Sequence, residues 1–350
     1  MQVMTEVTCY VLHNLIRYRQ NQSKERWRLT MKRFVKWSLI ALPIVLIAIA
    51  GIIIGGSYLE HQNAIEEDMT YYPAPGELID IHGDGHAMHV HGAGEGGATV
   101  VFLAGFGTPS PYYDFQAIRR ALPDDYRTVV VERFGYGWSD VTDHGRDIGT
   151  VTDETRAALK GAGEEGPFIL AGHSMASIEA LHWAQTYPEE VTAMIGLDPL
   201  VPAYYEEHGE EPDVSGVVTF LARSGLMRQQ PDVFHENFHA MAKGLLDDDD
   251  AEAARSVFNR RVQTANMADE AEKLTANVRT VQDAGTPDAP FFAAIASENH
   301  DGQPFIEALA AETGGDSRVF EGGHYIHLDQ PEGIAEQIDS WMQAEAESEE

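Results

Sequence analysis

The chain has 350 residues, of which 56 are acidic and 24 basic, giving a formal net charge of −32. That length holds one large domain or two small ones, and so acidic a surface repels nucleic acid and excludes it as a partner. The one cysteine, Cys9, rules out an internal disulfide and a cysteine-based metal site.

Residues 1–30 have weak periodicity and suggest no function. Residues 37–59, WSLIALPIVLIAIAGIIIGGSYL, contain no charge and match the roughly 20 residues needed to span a bilayer. Trp37 and Tyr58 stand at its edges, where interfacial aromatics belong. Arg17, Arg19, Lys24, Arg26, Arg28, Lys32, Arg33 and Lys36 lie upstream, and no Lys or Arg follows until Arg119. The positive-inside rule predicts an uncleaved, single-pass signal anchor in the cell membrane, with the first 36 residues cytoplasmic and the rest outside. The lipid bilayer is thus one expected partner. Residues 60–76 read as a polar linker ending in Pro73 and Pro75.

From residue 77 strand and helix patterns alternate. Residues 77–81 and 86–91 suggest a hairpin turning at "GDG". Residues 99–103, 128–131, 168–171, 191–197, 291–296 and 318–320 read as further strands. Helices are predicted at 112–122, 148–160, 177–187 and 334–342, before an acidic tail at 346–350. Such alternation implies an α/β domain at 77–345 with a mostly parallel sheet covered by helices on both faces. Between about 202 and 284 the alternation stops, and that segment reads as an inserted helical cap. The "DDDD" at 247–250 is expected to be a solvated helix start, since it lacks the loop ligands of a calcium cage.

The chemistry-bearing residues fall at the carboxyl ends of these strands, where open α/β sheets bind ligands. "GHSMAS" departs from G-x-S-x-G because Ala176 replaces the second glycine, yet it sits between a strand and a helix. That turn would project Ser174 above the sheet as a nucleophile. A serine hydroxyl needs a base and an oxyanion-stabilising pair of donors. His324, in "EGGHYIHLDQPEGI", is the expected base, with His327 three residues on as the weaker candidate. Asp198, directly at its strand end in "IGLDPLVP", is the first choice of acid. Asp301 is the alternative, and Glu298 lies beside it. The backbone N–H groups of Phe106, in "AGFGTPSP", and Met175 are the expected oxyanion hole. Arg133 and Asp140, flanking "FGYGWS", read as structural.

Taken together, "FLAGFGTPSP", "VERFGYGWSD", "GHSMAS", "GLDPLVP" and "GGHYIHLDQPE" resemble the α/β-hydrolase superfamily, and its membrane-anchored bacterial serine hydrolases in particular. The resemblance covers roughly residues 77–345. It implies Ser174 as nucleophile, His324 as base, and an acid on one of the two strand ends. Members with an aspartate nucleophile fit less well, because this elbow carries serine.

The expected activity is therefore cleavage of a carboxylic ester or related acyl compound through an acyl-serine intermediate. A small amide or peptide is the runner-up substrate, and a catalytically silent binding domain the rival of another class. Apolar cap residues 217–221, Phe234, Phe238 and Met241 are candidates for the acyl pocket. The mechanism needs no cofactor and no metal. His82, His86, His89 and His91, in "HGDGHAMHVHG", would be the ligands of a metal-dependent alternative, set against a plain exposed hairpin.

Overall fold

Short runs of β-branched and apolar residues form eight strands. The computed structural model, which describes residues 2–209, 212 and 214–349, joins them in one sheet. The strands are β1 (Glu77–Ile79), β2 (Met88–Ala93), β3 (Ala98–Leu103), β4 (Tyr126–Glu132), β5 (Phe168–His173), β6 (Val191–Leu197), β7 (Phe291–Ala296) and β8 (Ser317–Phe320). Their order is β1-β2-β4-β3-β5-β6-β7-β8. β1–β2 and β2–β4 pair antiparallel; every other pair is parallel.

The helices follow in chain order as α1 (Gln2–Tyr71), α2 (Pro111–Asp114), α3 (Gln116–Ala121), α4 (Ile148–Gly161), α5 (Ala176–Thr186), α6 (Pro202–His208), α7 (Gly216–Arg223), α8 (Pro231–Asn237), α9 (His239–Ala242), α10 (Asp248–Arg261), α11 (Ala265–Ala284), α12 (Gln303–Glu312), α13 (Ile326–Asp329) and α14 (Pro331–Glu349). The single helix expected at 112–122 is thus divided at Phe115. The closing helix runs through most of the expected acidic tail, whose last residue, Glu350, lies outside the described residues.

The chain divides into two units, Met1–Leu59 and Glu60–Glu350. In the first, α1 is one helix long and apolar enough to cross a membrane. Its large side chains are bare on every side, with Leu39 at 71%, Ile47 at 73% and Ile52 at 75% exposure. A helix apolar all round is at home in hydrocarbon, not in water.

In the second unit the expected polar linker is corrected. Helix continues to Tyr71, so only residues 72–76 connect it to β1. The helical end is held by the cap region, where Arg228 donates to Asp68 Oδ2 at 2.8 Å and to His61 Nδ1 at 3.1 Å. Polar composition misled here, because Glu and Asp on a helix exterior look the same as on a loop.

Alternation along the central strands divides the core. Val101 and Leu103 of β3 face the cluster under α4, α5 and α12, while Val100 and Phe102 face α3 and α14. Burial on both faces explains why these strands read as unbroken apolar runs. Between β6 and β7 the described residues hold only helices, α6 to α11. Phe234, Phe238, Val257 and Phe258 of this insertion form a second core shared with Tyr113 of α2, Leu328 of α13 and Trp138. α11 is the exception: its Leu274, Val278 and Val281 pack with α5 in the sheet core. Asp247 caps α10 by accepting from Asp250 N, so the aspartate run is a helix start stabilised by capping and by the helix dipole.

Two buried polar groups matter for stability. Arg133 lies between Glu179 of α5 and Glu270 of α11, at 3.0 and 3.1 Å, and Tyr136 donates to the same Glu270 at 2.5 Å. His327 of α13 is fully buried against Phe115 and His173. Burial, aided by the nearby His324 and His239, pushes its imidazole down to about 3.

Arg133→Met strands two buried carboxylates. It is expected to cost about 3–5 kcal/mol in denaturant unfolding, where an exposed arginine such as Arg255 would cost under about 0.5. The unfolded chain takes up a proton on His327 near pH 6.5, and the folded protein refuses it until far lower pH. This histidine therefore leaves stability untouched above about pH 7.5 and removes about 2 kcal/mol by pH 5. Urea midpoints at pH 8 and pH 5 are expected to differ less in His327→Asn than in the parent.

Candidate active site

β5 ends at His173, and Ser174 then takes φ +52°, a left-handed conformation rare for a residue with a side chain. Two backbone hydrogen bonds hold it there: Ser174 N donates to Leu197 O at 3.2 Å, and Leu200 N donates to Ser174 O at 3.0 Å. The elbow is thereby fastened to the exit of β6. Gly172 is required because a Cβ there would lie 2.9 Å from Ser177 N and 3.0 Å from Ala176 O. Ala176, in place of the usual second glycine, buries its methyl in the core. It borders a void of about 30 Å³ shared with Met175 and Ile178, so one extra carbon is accommodated.

Asp198 leaves β6 at φ +45° and is 2% exposed. Its Oδ1 accepts from Ala296 N at 3.1 Å and from Asn299 Nδ2 at 2.9 Å. Its Oδ2 lies 2.6 Å from His324 Nδ1, and His324 Nε2 lies 2.8 Å from Ser174 Oγ. A carboxylate only accepts, so Nδ1–H donates to Asp198 and Nε2 is left as acceptor for the serine hydroxyl. Sequence positions 174, 198 and 324 thus meet in one continuous hydrogen-bonded chain.

Asp301 is exposed and outside that chain of contacts, and Glu298 lies on the pocket rim. His327 is buried one turn beyond His324. The loop "EGG" is shaped by Asp329, whose Oδ2 accepts from Gly323 N at 3.1 Å; a Cβ on Gly322, at φ +149°, would lie 2.7 Å from the same oxygen.

Two contributing residues escaped the sequence reading. Asn299 orients Asp198, but nothing in "ASENHDG" marks an amide donor until the strand ends are brought together. His173 donates from Nε2 to His324 O at 3.1 Å, and its ring is 4.8 Å from that of His324. Burial holds His173 well below the usual imidazole range, so it acts as a neutral prop under His324.

The loop after β3 lies against Ser174. A Cβ on Gly105 would come within 3.0 Å of Ser174 Cβ and 2.9 Å of His173 Nδ1. Among the described residues, neither Phe106 N nor Met175 N donates to a protein group.

Ser174, Asp198 and His324 open into a cavity of about 370 Å³ walled by Leu200, Val201, Tyr204 and Ile306, within the size range of small-molecule sites. The cap residues expected to line it do not: Phe234 and Phe238 are buried in the cluster that joins the cap to Tyr113, Trp138 and Leu328, and Val217 and Phe220 face outward. A larger hollow of about 670 Å³ adjoins Phe168 at the opposite end of β5, away from the serine.

The hairpin histidines do not converge either. His89 is buried against Glu132 at 2.9 Å, His91 faces Arg119, and His86 faces Asp84. Arg133 serves the ion network described above. Asp140 accepts from Ala87 N at 2.9 Å, and its carbonyl accepts from Gly135 N at 2.7 Å, fixing the loop after β4.

A family model described as "Alpha/beta hydrolase family" matches residues 100–337. The chain is 28% identical over 316 residues to the uncharacterized protein YbdG of Bacillus subtilis (strain 168), across 85% of this chain and 95% of that one. In structure it is similar to the epoxide hydrolase VrEH1 of Vigna radiata, with TM-score 0.60, 17% identity, and coverage of 77% of this chain and 97% of that one. It is also similar to a structure from work on carboxylesterases of Nitrososphaera gargenis, with TM-score 0.52, 15% identity, and coverage of 78% and 100%. The matched segment contains the Ser174 elbow, the Asp198 strand end and the His324 loop, and the chain belongs to the alpha/beta hydrolase family.

Proposed function

We propose that the protein is a membrane-anchored serine hydrolase that cleaves carboxylic esters or related acyl compounds through an acyl-Ser174 intermediate. The observation that carries this reading is the hydrogen-bonded chain from Ser174 Oγ through His324 to Asp198. His324 takes the hydroxyl proton as Ser174 attacks the acyl carbon, and Asp198 balances the imidazolium that forms. The proton then passes to the leaving group. Water, deprotonated by the same Nε2, releases the acid and regenerates the serine. Phe106 N and Met175 N, on the two loops flanking Ser174, are the proposed oxyanion donors.

Similarity to an epoxide hydrolase does not carry over to this elbow. A serine that opened an epoxide would become an alkyl ether, with no carbonyl for water to attack. An acyl-serine has one, and turnover follows. The cavity's volume and mixed lining of Leu200, Val201, Tyr204, Ile306, Glu298 and Asn299 favour a small ester over a long lipid chain; a small amide is the second substrate class.

A fluorophosphonate probe is expected to label the full chain in detergent. Labelling should vanish in Ser174→Ala, fall at least ~10³-fold in His324→Ala, drop in Asp198→Asn and persist in Asp301→Asn. A folded parent that stays unlabelled would leave the fold as a binding domain only. The basic flank before α1's apolar stretch supports a cytoplasmic N-terminus and an extracytoplasmic hydrolase domain. Protease added to intact spheroplasts should then digest the hydrolase domain and spare a fragment of roughly 60 residues, the anchor with its cytoplasmic segment; protection of the domain would reverse the orientation.

A further inference from the structure

We propose a Zn²⁺ site formed by His82, His144 and Glu154, separate from the catalytic serine. His82 lies in the turn between β1 and β2, His144 in the loop before α4, and Glu154 inside α4. His82 Nε2 is 3.2 Å and His144 Nδ1 3.3 Å from the same oxygen, Glu154 Oε1, and the three atoms lie within 4.8 Å of one another. Zinc takes N and O ligands at about 2.0–2.2 Å in a tetrahedron, so neighbouring ligand atoms sit roughly 3.3–3.5 Å apart. Two of the three edges are already near that length, and a turn of the half-exposed His82 ring closes the third.

The surroundings match what a zinc site requires of its outer partners. Asp84 Oδ2 lies 3.2 Å from His144 Nε2 and would accept its proton, which leaves Nδ1 with a lone pair. That Nδ1 is buried and makes no hydrogen bond. It faces Glu154 Oε1, so two acceptors oppose each other with nothing between them, and a cation removes the conflict. Arg146 binds the other carboxylate oxygen, Oε2, at 2.6 Å, so Oε1 is left to the two histidines, with His82 Nε2 at 3.2 Å. Phe134 supports all three partners: the His82 ring stacks on it, His144 meets it edge-on, and the Arg146 guanidinium lies 5.8 Å from its centroid. Coordination by His82 Nε2 needs only the tautomer protonated at Nδ1. Glu154, Asp84 and Arg146 together present one net negative charge to the dication. The side chains of His82 and His144 are 40% and 29% exposed, which provides an entry path and a fourth position for water.

Such a site would staple the β1–β2 turn to α4. Thr155, the next residue, donates to Glu179 at 2.7 Å, so the staple adjoins the ion network of Arg133. The four-histidine hairpin of the sequence reading is thereby replaced by one hairpin histidine and two ligands from elsewhere in the fold.

The test uses untagged full-length protein in detergent, in a Cys9→Ser background, stripped with chelator and then titrated with ZnCl₂. Calorimetry and elemental analysis are expected to give one Zn²⁺ per chain. His82→Ala and His144→Ala should each weaken binding at least ~10-fold, and Asp84→Asn by roughly 10–100-fold, while His86→Ala leaves it unchanged. Saturating Zn²⁺ should raise the parent's Tm by roughly 5 °C and not that of His82→Ala, whose exposed side chain can be removed without unfolding the chain. No zinc retained by the parent, or equal retention in the parent and both histidine variants, would overturn the proposal.

Discussion

Everything at this site depends on the pair of backbone hydrogen bonds that join Ser174 to the exit of β6. Parallel strands deliver their carboxyl ends side by side, but a strand end alone is a loose support. Here Ser174 N reaches Leu197 O, and Leu200 N returns to Ser174 O. These bonds lock both Ser174 and Asp198 into left-handed backbone conformations that side-chain-bearing residues seldom adopt. Because the constraint lies in the main chain, the backbone itself sets serine and aspartate relative to each other. His324 has then only to enter between them.

Its entry is guided from below and from the side. His173 supports the His324 backbone and is kept neutral by burial, so it adds no charge beside His324. Asn299 occupies the oxygen of Asp198 that His324 does not use. Both oxygens of the aspartate are therefore engaged, and this fixes its orientation.

Much of this was legible in the sequence because it rests on local pattern. The strands announced themselves through apolar runs, and Ser174, Asp198 and His324 each followed one. The choice between Asp198 and Asp301 was a question of distance from a strand end, and spacing alone left it open. What the sequence concealed were contacts between residues far apart in the chain. Asn299 and His173 look ordinary until the loops are folded over them. His144 and Glu154 show no motif with His82, from which they stand more than sixty positions away. The helical continuation to Tyr71 was hidden for another reason: polar residues on a solvated helix carry the same composition as a linker. Apolar cap residues look like pocket lining in the sequence, yet a helical insertion must first be anchored, and Phe234 and Phe238 pack it against Tyr113, Trp138 and Leu328.

That shared core has an evolutionary consequence. Tyr113 of α2, Leu328 of α13 and Trp138 are buried in the same cluster as Phe234, Phe238 and Phe258 of the insertion, and the ring of His239 in α9 stacks on that of Tyr325 at 3.6 Å, next to His324. Changes of length or sequence in α7 to α10 are therefore felt at the loop that carries His324. Lineages that remodel this insertion must change it in concert with that loop.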